Sequence, residues 1–242
     1  MEIDWRMTGG FVAAEATLPS GHVAKAGDMF RVVTTTKLSR KSSLTIPVPN
    51  VVAMYIHASH SAWHEYCRLK KQSGISENSA KAEVFFLSDA DAIDAVEKLS
   101  ISVIMGYAAI ESFCNESIPS DHKYWKAGPQ ETILLPTDST TIYRRFSTSE
   151  KLCNVLPEIF GVASPKGGKG AAWESYRSLK DLRDGLIHAK PDETRPLWNN
   201  QNNLWAKMLK LKRPPHALGK NIFDWYLNNY KSPPGWYKRY PL

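Results

Sequence analysis

Apolar residues recur at three- and four-residue spacing over long stretches of the chain, the period of a helix with one buried face. The clearest stretch is Trp173 to Pro191: Trp173, Tyr176, Leu179, Leu182, Leu186 and Ile187 fall on one face, and the proline marks the end. A second helix starts at Ser88, a capping residue followed by Asp89 and Asp91, whose charge suits a helix N-terminus. It is expected to run to about Ile118, and nearly every residue from Leu99 to Cys114 is apolar or small, which makes it central and covered on most sides. Continuity without glycine or proline predicts a helix from about Pro49 to Lys71, ended by Gly74. Ser147 and Glu150 have the spacing of a capping box for a helix through about Phe160. Two shorter helices are expected at about 197–211 and 218–230.

Three segments break the helical period. Residues 1–46 contain Pro19-Ser20-Gly21, Ala26-Gly27-Asp28 and the β-rich run Phe30–Thr36, which predicts a β-hairpin or irregular arm followed by a Ser-rich link with Lys37, Arg40 and Lys41. Residues 119–145, with Pro119, Pro129 and Pro136, read as an irregular insertion. Residues 231–242 are expected to lie extended across the body or a partner. The pattern thus predicts an all-α bundle of four to six helices in one domain, residues 47–230, with a small N-terminal β-hairpin arm.

Composition narrows the class. The 242 residues are 43% apolar and 11% aromatic, enough for a full core. Lys and Arg number 31 against 24 Asp and Glu, a charge of +7 that favours a polyanionic partner such as RNA, although an ordinary basic surface reads the same way. Cys67, Cys114 and Cys153 are odd in number and widely spaced, which predicts reduced thiols. No run reaches the roughly twenty apolar residues of a membrane span, and Met1–Arg6 lacks the character of a signal peptide. A soluble, cytoplasmic protein without a membrane association is expected.

Against this background Arg183 is out of place, because its helical neighbours are Leu179, Leu186 and Ile187. A guanidinium cannot shed its proton to escape burial, so it needs a carboxylate or a cleft that an anion visits. His188 follows five residues later at the helix end, suited to moving protons near neutral pH. Asp184 lies one turn before it, within reach to orient the ring. Lys180, Lys190 and Arg177 on the same stretch are the candidate RNA-binding cations. On the covered helix, Glu111 and Asn115 are polar surprises one turn apart, and Glu111 needs a cation as Arg183 needs an acid. The two are expected to meet, directly or through Asn115, whether as a working site or as an architectural ion pair.

Arg183-Asp184-Gly185-Leu186-Ile187-His188 resembles the Arg-polar-x-x-x-His signature of the HEPN superfamily, and Tyr107–Glu116 is similar to the glutamate-and-asparagine helix that precedes it in many members. The resemblance implies a metal-independent ribonuclease of toxin or antiviral type, without a cofactor. It also implies a homodimer in which two copies of the Arg…His motif form one composite site, and family habit adds an antitoxin or nucleotidyltransferase partner. His188 would take the proton of a ribose 2′-hydroxyl, Arg183 would hold the phosphate, and the products would end in cyclic phosphate. Gly185 is unusual inside a helix and would allow close approach of the second subunit.

Two other readings remain. A catalytically silent HEPN-like binding or dimerisation module would carry the same residues. His57, His60 and His64, at spacings of three and four, put three imidazoles on one helix side and suggest a metal-binding protein, although the glutamate of the usual zinc motif is missing, with Ser61 after His60. Lys123-Tyr124-Trp125-Lys126 and Tyr143-Arg144-Arg145-Phe146 interleave cations with aromatics, which suits single-stranded RNA or simply anchors a loop. Pro165–Gly170 lacks the spacing of a phosphate-binding Walker loop.

Overall fold

The computed structural model describes residues 4–12, 14–17, 21, 23–75, 83–125, 136–168, 170–189 and 203–241. It is predominantly helical, with small β-hairpins. The N-terminal arm pairs β1 (Gly9–Phe11) with β4 (Met29–Arg31), β2 (Ala16–Thr17) with β3 (Val23–Ala24), and β5 (Val33–Lys37) with β6 (Ser43–Pro47), all antiparallel. The Ser-rich stretch expected as a link is instead the turn of the last hairpin, where the Ser39 and Ser42 hydroxyls lie 2.7 Å apart. Met7 bridges to Pro49, tying the arm to the start of the bundle.

Helix α1 (Val51–Gln72) begins at Asn50, whose side chain accepts the Ala53 N–H at 2.8 Å, and Gly74 follows its end at φ +66°, a conformation glycine takes without strain. Helix α2 (Asp89–Glu116) is capped by Ser88, which accepts the Asp91 N–H at 3.1 Å. The two run antiparallel: Asn50 Nδ2 donates to Glu116 Oε1 at 3.0 Å, and inside the bundle each of Ser59 and Ser102 donates its hydroxyl to the other's carbonyl, at 2.7 and 2.8 Å. Small side chains let the helices approach there, and the exchange pairs both serine hydroxyls.

The segment expected as an irregular insertion contains regular elements among its described residues, with 126–135 lying outside them. β7 (Lys123–Tyr124) pairs with β8 (Thr137–Asp138), and α3 (Ser139–Arg145) follows. Its local signal is Asp138, which caps α3 by accepting the Thr141 N–H at 2.7 Å. α4 (Thr148–Glu150), a π turn at Lys151–Val155 and α5 (Leu156–Phe160) make one continuous stretch, opened by the capping box of Ser147 and Glu150. α6 (Ala171–Ile187) carries the Arg…His stretch. Next come α7 (Leu204–Leu209), in the helix expected at about 197–211, of which residues 197–202 lie outside the described residues, and α8 (Pro215–Leu227), which starts and ends earlier than the expected 218–230.

α2 is the central helix, packed against α1, α6 and α8. Phe113 collects the aromatic core: its ring meets Phe223 at 5.2 Å, Tyr226 at 6.0 Å, Phe160 at 6.1 Å and Trp236 at 6.3 Å. Each buried ring of this size stabilises the fold by roughly 1.5–3 kcal/mol. Trp236 belongs to the C-terminal stretch, which is not simply extended. It holds a 3-10 turn at Tyr237–Arg239 and is anchored by buried Trp236 and Tyr240. Among the described residues no helix is long and apolar enough to cross a membrane.

Candidate functional site

His188 is the C-cap of α6, at φ −118° and ψ 44°. Its N–H still reaches the Asp184 carbonyl at 2.9 Å, and its side chain is exposed. Arg183 precedes it by five residues, about 140° around the helix axis. The arginine accordingly points at α2 while the histidine faces outward.

Arg183 is held from two sides. Its Nη1 donates to Asp184 Oδ1 at 2.8 Å, and its guanidinium lies over the Tyr107 ring of α2, 4.6 Å from the centroid. Lys180 donates to the other carboxylate oxygen of Asp184. Partial burial works against the charge on Arg183, but the hydrogen bond to Asp184 and the nearby Tyr107 outweigh it and raise its pKa. Burial likewise opposes ionisation of Asp184, and its hydrogen bonds from Lys180 and Arg183 win, holding its carboxyl below the usual range. Tyr107 stacks on Tyr176 with centroids 6.1 Å apart, and the Tyr176 hydroxyl lies 2.7 Å from the Ser149 hydroxyl.

Two expected contacts are not formed. Among the described residues the partner of Arg183 is its neighbour Asp184, and Glu111 acts on the guanidinium only as a more distant charge. Asn115 does not link them, because its Oδ1 accepts from Lys151 Nζ at 2.8 Å. Asp184, in turn, is engaged by Lys180 and Arg183, not by the ring of His188. Gly185 faces its own chain and not an open approach: a Cβ there would come 2.8 Å from the Leu204 Cδ1 of α7.

The residue that sequence reasoning missed is Lys151. It opens the π turn, is 3% exposed, and donates to Asn115 Oδ1 and to the Tyr143 carbonyl at 3.1 Å. Desolvation pulls its pKa down, while Cys114 and Glu111 nearby act to raise it. Asn115 therefore meets a cation, Lys151, whereas Glu111 bears on both Lys151 and Arg183 only through its charge.

Of the other candidate cations, Lys180 is engaged by Asp184, Arg177 is exposed with Glu174 at 3.6 Å, and Lys190 lies outside the described residues. The three histidines of α1 separate. His57 turns toward Trp5, 6.1 Å between centroids, whereas His60 meets His64 at 4.3 Å and His216 of α8 at 4.9 Å. Among the described residues no group of three or more His, Cys, Asp or Glu is placed to hold a metal ion. In the 119–145 segment, Tyr143 donates its hydroxyl to the Ile118 carbonyl at 2.7 Å and Tyr124 packs edge-on against Phe146, so these aromatics anchor the connection.

Comparison with protein-family models, with curated proteins and with solved structures finds no match to this chain. The functional reading therefore stands on the geometry of the α6 end and on the resemblance of its two motif pieces.

Proposed function

We propose that the chain is a metal-independent endoribonuclease of HEPN type that works as a homodimer, in the class of toxins or phage-defence effectors. The observation that carries this reading is the contact of Arg183 with Tyr107. It brings the Arg…His piece on α6 against the glutamate-and-asparagine piece on α2, although the two lie far apart in sequence. Asp184 and the tyrosine ring fix a guanidinium that stays charged, and a fixed fork of donors suits a phosphate whose charge grows in the transition state.

His188, exposed at the helix end, acts as the general base that takes the 2′-hydroxyl proton. The oxygen then attacks the adjacent phosphorus, the 5′-oxygen leaves, and a 2′,3′-cyclic phosphate remains. The nucleophile belongs to the substrate. Asp184 serves as the positioning residue of Arg183, not of the histidine. Because Arg183 and His188 diverge by about 140° around one helix, a second copy supplies the missing member of each pair, and the exposed Ile187 beside His188, at 52%, gives that contact apolar surface. An antitoxin or nucleotidyltransferase partner follows from the resemblance alone.

The test uses a matched pair of strands. The reading predicts that the protein cuts an RNA oligonucleotide and leaves its 2′-O-methyl counterpart whole. Equal cutting of both would contradict 2′-hydroxyl attack. A second reading, a silent HEPN-like binding module, is favoured by the engagement of Asp184 away from His188, and it predicts RNA binding with no cutting of either strand.

A further inference from the structure

A cavity of about 490 Å³ lies between the N-terminal arm, the start of α1 and the C-terminal stretch, and no residue of α6 lines it. That volume is in the range of small-molecule sites, roughly 300–1,000 Å³. Two tryptophans, Trp5 and Trp236, form part of its wall, with Pro233 and Pro234 beside them. Trp236 is 4% exposed and its ring is held edge-on against Phe113 and Phe223, so it is a rigid part of that wall.

The charges on the wall select the kind of occupant. Asp4 is the acid, and Arg6 already neutralises it through Nε at 2.9 Å and a second bond from Nη2. Lys238, exposed, and Arg239 add positive charge on the same wall. A cavity walled in part by indole and proline rings, with a cationic side, is complementary to a planar ring linked to an anion.

We propose that this cavity binds a nucleotide, with the base against the indole of Trp5, beside the Trp236 and Pro233–Pro234 wall, and the phosphate at Lys238. Bases stack on aromatic rings whatever their identity, so the site tolerates sequence, and the phosphate contact supplies charge selectivity. A free mononucleotide and one unit of an RNA strand present the same chemistry.

Calorimetric titration of the full chain with adenosine 5′-monophosphate, with adenosine, and with a ten-nucleotide 2′-O-methyl RNA separates the two sources. The mononucleotide is expected to bind more tightly than adenosine, and Trp5→Ala and Lys238→Glu each to weaken it at least tenfold. Binding of the strand alone, with the same sensitivity to both substitutions, places the nucleotide in RNA. No binding of any probe, or binding that neither substitution changes, overturns the site. Lys238 is exposed, so Lys238→Glu tests the phosphate contact even where Trp5→Ala disturbs the arm. None of the probes can be cut by 2′-hydroxyl attack, so the outcome is independent of the cleavage proposed for α6.

Discussion

In the proposed function Arg183 is the side chain that meets the anion. Asp184 bonds its guanidinium and the Tyr107 ring lies under it, so the position of the fork is held by the fold itself. Lysine keeps the charge but loses the fork and the stacking. Arg183→Lys is therefore expected to lower the cleavage rate at least about tenfold, roughly 1.4 kcal/mol of transition-state stabilisation, with melting temperature little changed. Lys151 presents the opposite case, a cation whose role is to satisfy the interior. Lys151→Met removes the donor from Asn115 Oδ1 and the Tyr143 carbonyl and leaves two acceptors short. A loss of about 2–3 kcal/mol in urea unfolding is expected, and an unchanged midpoint would contradict the assigned contacts. Neither contact of Lys151 is local in sequence, which is why the residue did not stand out. The period of a helix places a side chain on a face but does not say which neighbouring side chain that face meets, and so the expected contact of Glu111 with Arg183 is not formed while Asn115 bonds Lys151.

Among the elements, those with a local signal were legible and those made by long-range packing were not. Ser88 with its two aspartates, the Ser147 and Glu150 box and the apolar stripe of α6 each specify a helix from within a few residues. The β7–β8 pair and the burial of Trp236 depend on segments distant in the chain. The junction of α1 and α8 is another such product. His216 is 2% exposed, its ring meets His60, its own carbonyl accepts the Tyr240 hydroxyl at 2.5 Å, and burial together with His60 and His64 lowers its pKa from 6.5 to about 4. The unfolded chain takes up this proton near pH 6.5 and the folded chain only near 4, so stability is complete above 6.5 and falls as the pH drops through that window. His60, shifted the same way by burial, adds to the effect. Urea unfolding at pH 7 and pH 5 is expected to differ by about 2 kcal/mol from His216, and the difference should shrink in His216→Gln. Gly185→Ala tests the α6–α7 contact. The clash is with the flexible end of Leu204, which can move, so the gain in helix propensity of about 1 kcal/mol is expected to be largely cancelled and stability nearly unchanged.

At the scale of the whole molecule, the architecture presents one helix end whose two key residues point apart, Arg183 toward α2 and His188 outward. The proposed composite site needs a second copy. Mixing Arg183→Ala with His188→Ala protein is expected to restore part of the activity that each lacks alone, because mixed dimers hold one intact combination. No recovery, in a mixture shown to exchange subunits, would contradict the composite site. The direct test of the central claim is cleavage of a mixed RNA pool in EDTA by the wild-type chain and by His188→Ala, with the fragment ends identified. The account predicts cutting in EDTA that leaves 2′,3′-cyclic phosphate and falls by a factor of at least about 10² in the variant. Cutting that needs added metal, or that proceeds equally without the histidine, would contradict it.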